Sequence, residues 1–88
     1  MVSLPARLTI GTAAAELQRL VPQVAAQGQG PVALDGSTLE QFDSSAIAVM
    51  LELRRQVLRH GGQLSVTRLP PRLSDLMALY GVGELLPG

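Results

Sequence analysis

Residues 31–67, PVALDGSTLEQFDSSAIAVMLELRRQVLRHGGQLSVT, carry the pattern that decides the fold. Pro31–Leu34 is a short apolar run that ends at Asp35-Gly36, which suits a buried parallel strand. Ser37–Phe42 reads as a connection. Asp43-Ser44-Ser45 then opens a helix that runs to Arg59 or His60, and Gly61-Gly62 supplies the left-handed stop. Arg59 and His60 suit the negative end of that helix dipole. Gln63–Thr67 follows as a strand, with Leu64 and Val66 alternating against polar neighbours. A strand, a helix and a second strand in this order specify a parallel pair joined by a right-handed crossover.

The flanks extend the same alternation. Val2–Leu8 is β-type, but Pro5 cannot donate a ladder hydrogen bond, so this run is an edge strand or one cut short. Ile10, Ala13, Ala14, Leu17, Leu20, Val21 and Val24 share one helical face, and this spacing places the first helix start at Thr9 rather than Thr12. Pro22 should kink that helix or end its regular bonding near Val21. Pro70-Pro71 opens a third helix, with Pro71 where a missing N–H is tolerated. Leu73, Leu76, Met77 and Tyr80 form its apolar face, and Gly81 ends it. Val82–Gly88 reads as a packed turn anchored by Leu85 and Leu86. The expectation is one α/β domain over residues 1–88, with a mainly parallel short sheet and three helices.

Composition narrows the function. The chain of 88 residues is 47% hydrophobic but only 2% aromatic and 16% charged. Seven basic residues, all Arg, balance seven acidic ones, so there is no electrostatic footprint for nucleic acid. Two aromatics offer no base-stacking platform. Zero cysteines remove disulfides, thiolate metal sites and thiol catalysis together. The single His cannot build a metal site alone, and no Walker-type loop or Gly-x-Ser-x-Gly elbow is present. Gly28-Gln29-Gly30 reads as a loop. The N-terminus, MVSLPARLTI, shows no signal-peptide pattern. No cofactor or metal is expected.

Parallel strands gather their carboxyl ends on one rim, where such sheets usually meet ligands and partners. That rim carries Thr9–Thr12, Asp35–Ser45 and Arg68–Arg72. Asp43, Ser44 and Ser45 sit there at a helix start, where hydroxyls and carboxylates cap orphan N–H groups and an anion meets the positive dipole end. Residue chemistry alone leaves capping and partner contact both open. Asp43, Ser44 and His60 are the residue types of a hydrolase triad, but the intervening helix separates Ser44 from His60 by roughly 22 Å. A nucleophile and its base need about 3 Å. Arg54 projects within the apolar arc of the same helix, between Met50 and Leu58. It is either an arginine whose stem covers aliphatic surface or a polar anchor toward a partner.

The segments QFDSSAIAVMLELRR and HGGQLSVTRLPPRLSDLMALYGVGELLP together resemble the STAS domain, closest to its small MlaB-type members, relatives of the anti-sigma factor antagonists. Asp43, Ser44, Ser45, Ala46 and Ile47 stand in the order of the family's helix-start motif. Ala-Arg-Leu-Thr at residues 6–9 is similar to a segment that ends a family strand. The resemblance implies a small STAS-like βα sandwich and a non-enzymatic role. The implied partner is the ATPase subunit of an ABC transporter that maintains outer-membrane lipid asymmetry, with the chain cytoplasmic and at the inner membrane only through that complex. The alternative it implies is an antagonist that binds an anti-sigma factor kinase and is regulated by phosphorylation of Ser44. Asp43, Ser44, Ser45, Ala46, Ile47 and Arg54 are the candidate partner-binding residues. Ala46 stands where the motif usually has Gly, which restricts close backbone approach. Longer family members carry an extra N-terminal strand. Its counterpart here is an open sheet edge, for Pro5 to blunt or a second copy of the chain to pair.

Overall fold

The computed structural model describes residues 1–86. The elements in chain order are β1 (Val2–Ser3), β2 (Arg7–Leu8), α1 (Ala13–Ala25), β3 (Pro31–Asp35), β4 (Gln41–Phe42), α2 (Ser44–Arg59), β5 (Gln63–Thr67) and α3 (Pro71–Leu79). The main sheet has the order β1-β3-β5, and β2 and β4 form a separate two-stranded pair. Every pairing is parallel. The chain is therefore the small α/β fold with three helices that the alternation of runs implied.

The centre is the β3–α2–β5 crossover. β3 and β5 pair over their full length, from Pro31↔Gln63 to Asp35↔Thr67. In this register Val32 and Leu34 share a face with Leu64 and Val66, and all four are buried. α2 lays Ala46, Ile47, Val49, Met50, Leu53 and Val57 on the core. α1 adds Leu20 and Val24, and α3 adds Leu73 and Met77. Most of the aliphatic excess is thus consumed as one hydrophobic cluster. The opposite face of the sheet is only half covered, since Ala33, Ser65 and Thr67 are partly exposed. β3 is consequently central but not enclosed on both faces, as its apolar run had suggested.

Where structure and sequence reading differ, backbone hydrogen bonds decide. Val2–Leu8 is two strands. Leu4 donates its amide to the Asp35 carbonyl at 2.9 Å, and Pro5, with no N–H, ends that pairing. The chain then changes partner: the Ala6 carbonyl accepts the amides of Glu40 and Gln41 at 2.8 and 2.9 Å, and β2 pairs with β4. The last two residues of the Ser37–Phe42 connection are therefore a strand. Helix α1 starts at Ala13, not after Thr9. Thr12 Oγ1 accepts the Thr9 amide at 3.0 Å, and the Thr12 amide donates to the Thr9 carbonyl at 3.0 Å. This closes a turn ahead of the helix and leaves Ile10 81% exposed, off the apolar face.

Pro22 lies on the outer surface of α1 and does not stop it. Only the Gln18 carbonyl loses its intrahelical donor, and bonding resumes with the Ala26 amide on the Pro22 carbonyl at 3.0 Å. In the tail, Leu86 is buried (2% exposed) but Leu85 is not (41%), and Tyr80 is 55% exposed rather than in the core. Tyr80 is the C-cap of α3, and its amide closes the last turn on the Leu76 carbonyl. The last two residues of the tail, Pro87-Gly88, lie outside the described residues.

The stop after α2 is also a point of close approach. A Cβ on buried Gly62 would lie 2.7 Å from the Gly30 carbonyl oxygen and 3.1 Å from Val57 Cγ1. Backbone cannot retreat as a side-chain end can, so Gly62→Ala should destabilise the chain by about 1–3 kcal/mol. Gly83→Ala, which meets open space, should be neutral within about 0.5 kcal/mol. Urea unfolding midpoints of the two variants check this.

Candidate functional site

The carboxyl rim is built around Asp43. As N-cap of α2 it has extended backbone, and its Oδ1 accepts the Ser45 amide at 2.8 Å. Its Oδ2 accepts the Ile10 amide at 3.0 Å. One carboxylate therefore caps α2 and pins the Thr9–Thr12 turn against the helix start. The Ile10 N–H, then the Ser45 N–H, hold the Asp43 carboxyl below its ordinary value. Both of its oxygens thus accept a backbone amide.

This arrangement fixes what surrounds it. Ser44, the first residue of α2, is exposed, while Ser45 is half-buried. Ala46 and Ile47 turn inward into the core, so they hold the helix start in place and do not line its outer surface. Beside Ser45 a shallow apolar groove of about 270 Å³ runs between α1 and α2, from Ile10 past Ala14 and Leu17 to Ala48. Ile10 stands at its lip. Apolar spacing assigns Ile10 to the buried face, but the Thr9-x-x-Thr12 turn carries it outward and is the signal in the sequence for that position.

A second carboxylate organises the far side of the rim. Asp35 at the end of β3 accepts Arg68 Nε and Nη2, each at 3.1 Å, in a two-pronged pair. It also accepts the Ser37 amide at 3.0 Å, the turn expected of Asp-Gly-Ser. The Arg68 guanidinium first, and the Ser37 N–H next, hold Asp35 below the ordinary carboxylate value. Arg68 has a left-handed backbone, φ 53°, which is uncommon for a residue with a long side chain. Arg72 Cζ lies 5.8 Å from the centroid of Phe42, joining the start of α3 to the strand that leads into Asp43.

Arg54 is elsewhere. It lies ten residues beyond Ser44, about 15 Å along the helix axis. There it is half-buried and borders a cleft with Leu58, Leu64 and Ser65. The rim and Arg54 are two surfaces, not one. His60 is the C-cap of α2, and its Nδ1 lies 2.8 Å from the Gln56 carbonyl, at the opposite end of the helix from Ser44. Among the described residues no three metal-ligating side chains converge, and no helix is long and apolar enough to cross a membrane.

The short parallel sheet, the three helices and a helix start carrying Asp-Ser-Ser on the carboxyl rim define an α/β domain of the STAS class. A family model described as "Mlab, STAS domain" matches residues 1–87, and the chain belongs to that family. No curated protein matches the chain. The family is typically non-enzymatic.

The two rim carboxylates set an acid sensitivity. Each has a folded-state pKa below its unfolded value of 3.8, so the folded state binds fewer protons and stability rises with pH across that interval. The stabilisation is complete above the unfolded value and is lost as pH falls through the depressed folded values. The unfolding midpoint in urea should hold from about pH 7 to 5 and fall below about pH 4. Asp43→Ala should lessen that fall and speed hydrogen exchange at the Ile10 and Ser45 amides.

Proposed function

We propose that this chain is a non-enzymatic regulatory subunit that binds the ATPase of an Mla-type ABC phospholipid transporter. Membership of the MlaB-type STAS family gives the class. The observation that carries the reading is the rim, where Asp43 caps α2 through the Ser45 amide next to exposed Ser44 and also takes the amide of exposed Ile10. Such a surface is preorganised, so little ordering entropy is lost when a partner docks. A large apolar side chain beside a rigid helix start is the kind of anchor from which interfaces draw most of their affinity. The mechanism is then allosteric: docking favours one state of the ATPase by binding it more tightly. In this reading the chain works on the cytoplasmic face of the inner membrane and touches the bilayer only through the complex.

A second reading rests on Ser44 itself. Its side chain is exposed at a helix N-terminus, where the dipole tolerates the charge of a phosphate, about −1.5 to −2. That favours an anti-sigma factor antagonist released from its kinase by phosphorylation.

Affinity purification from membranes, with the transporter subunits co-expressed, tests the first reading. The wild-type chain should recover the ATPase subunit, and Ser44→Glu and Ile10→Asp should each reduce recovery about tenfold or more, the loss of one interface anchor. Equal recovery by all three proteins removes the rim from the interface. Transfer of phosphate from ATP to Ser44 by a cognate kinase, with no transporter subunit recovered, would establish the second reading instead.

A further inference from the structure

We propose that the outer edge of β5 is a strand-addition site for an extended peptide segment that carries one acidic residue. The backbone geometry is the first ground. β5 ends the sheet, and the Gly36 amide donates to the Thr67 carbonyl at 2.9 Å. In a parallel pair alternate residues address alternate sides, so Gln63, Ser65 and Thr67 face β3. Leu64 and Val66 therefore turn their N–H and C=O groups outward. No backbone group of the described residues bonds to them there. A row of such groups is a template for another strand.

The two edges of the sheet contrast. β1 is two residues long and is followed by Pro5, so it is blunted. β5 has five residues and contains no proline, charge or bulge. It is instead fronted by a groove. A cleft of about 520 Å³ separates Val66 and Thr67 from Met77 and Ala78 of α3 and from Leu86. It is followed along the strand by a second cleft of about 330 Å³, where Leu64 and Ser65 face Leu85, with Leu58 and Arg54 overhead. Every residue of β5 borders one cleft or the other.

These walls select the occupant. A second copy would have to bring a whole domain up to an edge already flanked by α3 and the tail. A single extended segment needs only the groove, and strand addition of this kind gives affinity through main-chain bonds and specificity through alternate side chains. Charge narrows the choice further. Arg54 is half-buried and makes no hydrogen bond or ion pair with the described residues. A carboxylate meeting it forms a charge-assisted bond in a partly desolvated site. Glu84 borders the same cleft and repels a second acid there. The fitting segment alternates apolar and small residues, with its single acid beside the Gln63 end of the strand.

The full chain, immobilised, is to be screened with a phage-displayed library of random decapeptides, and the enriched sequences synthesised with a fluorescein label. Enriched peptides should share alternating apolar residues and one Asp or Glu. In ¹⁵N spectra they should move the Leu64 and Val66 amides and protect them from hydrogen exchange. Arg54→Glu should weaken binding about tenfold or more. Ala78→Trp, which fills the groove from the exposed face of α3, should abolish it with unchanged circular dichroism. The proposal is overturned if nothing is enriched over the Ala78→Trp protein, or if the moved amides border the α1–α2 groove. It is equally overturned if the Leu64 and Val66 amides become protected by concentration-dependent dimerisation without peptide. No transporter subunit is present, so none of these outcomes bears on the ATPase reading.

Discussion

The full-length parallel pairing of β3 with β5 is the constraint from which the rest of the molecule follows. Parallel neighbours require a crossover, and α2 is that crossover. The six buried residues of α2 join one core with Val32, Leu34, Leu64 and Val66. Once they do, the helix begins where the strands end. Asp43 and Ser44 therefore reach the carboxyl rim because the hydrophobic face of α2 fixes its axis. The same packing leaves no room behind Gly62, whose backbone passes close to Gly30.

On that rim, charge is used to hold distant parts of the chain together. Asp43 accepts two amides, those of Ile10 and Ser45, from opposite ends of a long stretch of chain, and Asp35 accepts a guanidinium and an amide. These hydrogen bonds hold both carboxyls below their ordinary value. Arg68 reaches Asp35 from a left-handed backbone, and Arg72 covers Phe42. The result is an edge tied together by contacts between distant parts of the chain, with an exposed hydroxyl at Ser44 and an exposed isoleucine at position 10. The opposite region, along β5, is open in a different currency: its unpaired groups belong to the backbone.

Much of this was legible in the sequence. The limits of β5, the start and end of α2 and the role of Gly61-Gly62 follow from periodicity and capping, because these signals are local. The partner change at Pro5 was half legible: proline announces the break, but not that Arg7–Leu8 finds Gln41–Phe42. Ile10 departs from the face its spacing assigns because apolar periodicity carries no information about where a residue's amide goes. Thr12 spends its hydroxyl on Thr9, and Asp43 takes the Ile10 amide, so the helix cannot begin there. Ala46 and Ile47 belong to the motif as supports, since burial is set by the rotation of α2 and not by motif membership.

Sequence by itself determined the alternation of strands and helices, the parallel crossover and the family, because each rests on patterns within some 20 residues or on the order of motifs. Tertiary structure alone decided which side chains stand outside. The bond from Ile10 to Asp43, the pair of Arg68 with Asp35 and the groove along β5 join residues far apart in the chain. No local pattern encodes such contacts; they exist only once the core has fixed the directions of the strands and the helix that crosses them.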